Sequence, residues 1–101
     1  MAITFFIPGP LRQLAAGQSQ VEVNVAAATV AKALEALWQA YPGLRDRVLT
    51  EQGEVRQHVN IFVGEENIRD CGGFTAPVKD SAVISIVPAV SGGNLWTSQI
   101  F

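Results

Sequence analysis

The sequence is poor in chemically versatile side chains: it has one cysteine, one histidine, one methionine and one tyrosine. A single thiol cannot close an intramolecular disulfide, and one Cys with one His cannot build the usual Cys/His zinc cage. Basic residues are also few, seven Lys plus Arg against nine Asp plus Glu, for a net charge of −2. That balance lacks the basic footprint of a general nucleic-acid binder. No apolar run approaches the roughly 18–20 residues of a membrane-spanning helix. The opening MAITFFIPGPLRQL has no basic residue ahead of its apolar stretch, which argues against a secretory signal. The expectation is a cytoplasmic protein with a reduced thiol, bound to neither membrane nor nucleic acid. What is present is apolar: 49% of 101 residues are hydrophobic and 16% charged, enough for one domain with its own core.

The hydrophobic pattern divides the chain into short elements. Ala2–Ile7 reads as a strand with Ile3, Phe5 and Ile7 on one face and Thr4 and Phe6 on the other, stopped by Pro8-Gly9-Pro10. Ser19–Val25 alternates Val21, Val23 and Val25 with Glu22 and Asn24, a half-buried strand joined to the first by a wide hairpin. Thr29–Tyr41 is the main helix: Thr29 is a natural N-cap, and Val30, Ala33, Leu34, Leu37 and Tyr41 form one apolar stripe. Pro42-Gly43 ends it, and Leu44–Leu49 has room for one further turn. Val59–Val63 is a third strand with Asn60 and Phe62 outward. Gly64–Asn67 reads as a turn and Ile68–Asp70 as a short edge strand. Ser81–Val87 is the last strand, with Ser85 and Val87 outward, and Pro88 ends regular pairing. One helix against one mixed sheet is a two-layer α+β domain, and this order fits a β-grasp arrangement. A ferredoxin-like sandwich requires a second full helix, for which Leu44–Leu49 is too short.

No catalytic constellation emerges. His58 and Cys71 have no third group to orient them, and Glu65-Glu66 are adjacent, so on a strand or turn they point apart. Gly72-Gly73 lacks the spacing and following helix of a phosphate loop, and Trp38 reads as the edge of the core. The informative feature is the end of the chain. A last strand runs through Pro88 to Ser91-Gly92-Gly93, and residues without side chains can enter a narrow cleft where backbone must approach a reactive centre.

The chain resembles the ubiquitin-like bacterial sulfur carriers, the MoaD/ThiS/CysO group, over residues 1–93. The resemblance rests on Pro42-Gly43-Leu44, on HVNIFVGEENIRDCGG at 58–73 and on KDSAVISIVPAVSGG at 79–93, and is closest to the CysO type. It implies a β-grasp domain over 1–91 and an arm with extension over 92–101. It implies a carrier rather than an enzyme, with no cofactor of its own. Gly93, preceded by Gly92, is the residue whose carboxylate an E1-like adenylyltransferase activates with ATP and converts to a thiocarboxylate. A sulfur-accepting biosynthetic enzyme, PLP-dependent in the cysteine-type pathway, then takes the sulfur. Other outcomes within reach of the resemblance are the small subunit of molybdopterin synthase and, in a different class, a ubiquitin-like protein modifier.

One departure matters. Asn94–Phe101 follows Gly93, so the Gly93 carboxylate is tied up in a peptide bond. The resemblance implies a precursor cut between Gly93 and Asn94 by a JAMM-type metalloprotease. Leu95, Trp96, Ile100 and Phe101 are four large apolar residues among eight, which predicts a docked tail. Strand alternation puts Phe6, Phe62 and Val87 on the sheet face away from the helix, where they form a candidate partner-binding face. The low net charge suggests that apolar contact dominates there.

Overall fold

The computed structural model describes residues 2–25 and 29–88. Five strands, β1 (Ala2–Phe6), β2 (Gln20–Asn24), β3 (Val59–Val63), β4 (Glu66–Asn67) and β5 (Val83–Pro88), form one sheet in the order β2-β1-β5-β3-β4. β5 runs parallel to β1, and every other pairing is antiparallel. The helices are α1 (Val30–Ala40), α2 (Pro42–Val48) and the single turn α3 (Ile68–Cys71). This is the α+β, β-grasp arrangement expected from the element order.

Alternation decides the layers. Ile3, Phe5, Ile61, Ile84 and Ile86 are buried beneath α1, whose own buried stripe is Val30, Ala33, Leu34 and Leu37. Each such side chain contributes about 1.5–3 kcal/mol of burial. Among the described residues the buried core runs from Ile3 to Ile86. No buried side chain among the described residues is polar or charged. Thr29 caps α1 as expected, its Oγ1 accepting from the Lys32 amide at 3.3 Å.

Two expectations need correction. Tyr41 lies just beyond α1, with non-helical backbone (φ −137°, ψ 79°), and Pro42 then starts α2 instead of only ending α1. Proline is suited to a first helical turn because its missing N–H would have no partner there. The expected edge strand at Ile68–Asp70 is the turn α3, and the pairing falls one step earlier, where Glu66 and Asn67 oppose Val63 and Phe62. The reason is local: Asn67 Oδ1 accepts from the Arg69 amide at 3.0 Å and starts a turn, which Gly72 at φ 116° then ends. The wide hairpin between β1 and β2 is itself structured, a 3₁₀ helix over Gly9–Ala15 begun by Pro10 and packed through the buried Ala15.

The approach to β5 is also fixed. Ser81 adopts φ 69°, its amide donates to the Ala2 carbonyl at 2.8 Å, and the Thr4 amide donates to Ala82 at 3.0 Å. These bonds seat β5 in the middle of the sheet in one register.

Candidate partner-docking site at the end of the central strand

β5 carries the chain through the sheet centre and ends at Pro88, which still pairs with Val59. The last strand therefore includes Pro88; a residue without an N–H is tolerated at a strand's final position. The direction of β5, parallel to β1, delivers the following residues at the edge where β1 ends and β3 begins.

The outer face is read directly from the registers. Gln20 opposes Phe6, Phe6 opposes Ser85, Ser85 opposes Phe62, and Phe62 opposes Asn67, giving one row across all five strands. With strands about 4.8 Å apart, the two Phe Cα atoms stand about 10 Å apart with only Ser85 between them. Phe6 is 39% exposed, the only large hydrophobic residue among those described to be classed as exposed. Phe62 and Val87 are half-buried, and Val87 opposes Asn60 in the next row. Phe6, Phe62 and Val87 thus share one face, as the alternation predicts, with polar residues at its margins.

The start of β3, which holds Pro88, is clamped by Arg69. Its guanidinium donates to Asn60 Oδ1 at 2.6 Å, to the Val59 carbonyl at 3.0 Å and to the Arg56 carbonyl at 3.3 Å, while Asn67 Nδ2 also reaches Asn60 Oδ1 at 3.2 Å. Sequence reading missed this clamp. The only signal available to it was the Asn67–Arg69 spacing of an Asx turn, which says nothing of Asn60 or Val59.

Two open grooves flank the exit. One, of about 340 Å³, is lined by Phe6, Pro8, Arg12, Ser85, Val87 and Pro88 among others. The second, of about 350 Å³, includes Arg47, Arg56, His58, Val59 and Pro88. Pro88 belongs to both.

The residues considered for chemistry are not gathered. His58 is exposed on the second groove, and Cys71 is half-buried on α3. Glu65 and Glu66 are both exposed. Among the described residues no three His, Cys, Asp or Glu side chains are grouped to hold a metal. No helix among them is long and apolar enough to cross a membrane. Gly92, Gly93, Asn94 and the apolar tail Leu95, Trp96, Ile100 and Phe101 lie outside the described residues, and so does the expected docking of that tail.

A chain of this shape, with a central last strand heading for a Gly-Gly pair, has an identifiable kin. A match to the ThiS family spans residues 5–93 and ends on Gly93. The chain belongs to the ThiS family. Sulfur carrier protein CysO of Mycobacterium tuberculosis is 32% identical over 95 residues, covering 92% of this chain and 100% of that protein. The crystal structure of the BexX/CysO complex of Amycolatopsis orientalis superposes with a TM-score of 0.79 at 32% identity, covering 90% of this chain and 99% of the matched one. Small archaeal modifier protein 1 of Haloferax volcanii is 38% identical over 79 residues, 77% of this chain and 86% of that protein. The chain is therefore a ubiquitin-like sulfur carrier of the ThiS/CysO type, which is not itself an enzyme.

Proposed function

We propose that Gly93 is the working residue of this carrier and that the 101-residue chain is its precursor. The observation that carries the reading is the family match, which ends on Gly93 itself, five residues past Pro88, the last paired residue among those described. Five extended residues reach about 16–18 Å, the depth of a substantial active-site cleft. A JAMM-type metalloprotease cuts the Gly93–Asn94 bond and creates the carboxylate. An E1-like adenylyltransferase then joins that carboxylate to AMP from ATP, releasing pyrophosphate. The mixed anhydride is a good electrophile where the carboxylate is a poor one, and sulfur displaces AMP to leave a glycyl thiocarboxylate.

The Phe6/Phe62/Val87 face is the surface by which those enzymes hold the carrier. The complex of a CysO relative with BexX supports docking on a folded partner. CysO similarity favours cysteine formation, with a PLP enzyme as sulfur acceptor. The likeness to an archaeal modifier supports a second reading, in which Gly93 is joined to lysine side chains of other proteins.

Mass spectrometry separates these. A chain ending at Gly93, incubated with the activating enzyme, ATP and a sulfur source, gains about 16 Da by O-to-S exchange if it is a carrier. Gly93-linked adducts on other proteins mark a modifier. Thiocarboxylation of the uncut 101-residue chain would refute the precursor reading, because Gly93 has no carboxylate before cleavage.

A further inference from the structure

The net charge of −2 conceals a local concentration of positive charge. Three of the seven Lys and Arg residues, Arg12, Arg47 and Arg56, line the two grooves that meet at Pro88, together with His58. No Asp or Glu lines either groove. Asp46 shares a third hollow, of about 460 Å³, with Arg47 and Arg56, but its carboxylate lies within ion-pair distance only of Arg45, at 3.8 Å, the only ion pair among the described residues.

The arginines are also prepared for an external acceptor. Arg12 donates through Nε to the Ile7 carbonyl at 3.1 Å, and Arg56 through Nε to the Asp46 carbonyl at 2.9 Å. Each bond fixes the side chain and leaves both terminal nitrogens without a hydrogen bond among the described residues, the fork that takes a carboxylate in bidentate fashion. Arg69 holds the Arg56 and Val59 carbonyls and so steadies the wall of the second groove. Phe6 and Val87 line the same groove as Arg12, so the cations adjoin the apolar face.

We propose that Arg12, Arg47 and Arg56 form a cationic collar around the chain's exit at Pro88, and that it docks on an acidic protein rim around the mouth of the activating enzyme's cleft. This rests on the carrier reading of Gly93. Reach favours a protein partner: the nucleotide phosphates must lie beside Gly93, and the five residues from Pro88 to Gly93 can span up to about 16–18 Å beyond the collar. A nucleic acid would meet nine acidic residues on this small domain, eight of them besides Asp46, which borders Arg47 and Arg56. Charges at such a rim act on encounter rate and on register, and are screened beyond about 8–10 Å at physiological salt. The apolar face supplies contact area, and the collar orients the arm toward the cleft.

The test uses the chain ending at Gly93, its folding checked by far-UV circular dichroism, and the purified E1-like adenylyltransferase of the same organism, with pyrophosphate release as readout. The double variant Arg12→Glu/Arg47→Glu should raise KM about tenfold at low salt with kcat unchanged, a loss that shrinks at high salt. Arg47→Lys should recover most of the Arg47 effect. Lys79→Glu, a cation ahead of β5 at its opposite end, should leave KM unchanged. An unaltered KM for the double variant, with the parent chain activated normally, overturns the collar and spares the carrier reading. A raised KM that is equally large at high salt also overturns it, since the effect is then not electrostatic. Failure of the parent chain to be activated at all overturns the carrier reading, and the collar with it.

Discussion

Phe5 and Phe6 are neighbours of the same type on opposite faces of β1, which makes them a measure of what the sheet covers. Phe5 is fully buried and Phe6 is 39% exposed. Fully burying a Phe side chain contributes about 1.5–3 kcal/mol. Alanine keeps part of that, and the cavity left behind adds a cost, so Phe5→Ala should lose about 3–5 kcal/mol. Phe6 opens to solvent, so truncation leaves no enclosed void; its smaller buried area, discounted for compaction of the unfolded chain, gives about 1–1.5 kcal/mol. A domain of this size holds about 5–15 kcal/mol in all, so only the first change threatens folding. In a urea titration followed by far-UV circular dichroism, with m near 1.5 kcal/mol/M, the midpoint should fall by about 2–3 M for Phe5→Ala and by about 1 M or less for Phe6→Ala. Equal losses would refute the assignment of Phe6 to an open face. Repeating Phe6→Ala in chains ending at Gly93 and at Phe101 tests the docked tail. If residues 94–101 cover this face, the change costs more in the longer chain, and equal costs place the tail elsewhere.

Two further outcomes are expected. In a chain ending there, Gly93→Ala should leave the urea midpoint unchanged and depress the rate of adenylation, because a Cβ is added where the cleft must fit backbone; thiocarboxylation at the normal rate would dismiss the narrow cleft. Arg69→Met should lower stability by about 1–3 kcal/mol, read by the same titration, because it strips donors from Asn60 and from the carbonyls of Arg56 and Val59. No loss would show that water replaces the clamp without cost.

Much of the body was legible along the chain. Period-two alternation fixed which residues of β1, β2, β3 and β5 face inward, because a strand's side chains must alternate and, among the described residues, the helices cover one face of this sheet. The helix stripe and the Thr29 cap were equally plain, since a 3.6-residue period and an N-cap are local properties. Pro88 and the glycines at 92 and 93 pointed to a strand leading into an arm, and the resemblance gave that arm its chemistry. Local signals failed where two local preferences competed. Ile68–Asp70 follows a turn signal where a short edge strand could start, but the Asn67 side chain bonds back to the Arg69 amide and the chain turns instead. Only the tertiary structure could decide the rest. Phe6, Ser85 and Phe62 come from three distant segments and become one row only when β5 pairs with both β1 and β3. The net charge of −2 is an average that hides Arg12, Arg47 and Arg56. Composition sums charges without positions, and it took the closure of the sheet to bring the 3₁₀ helix, α2 and the loop before β3 around the same proline.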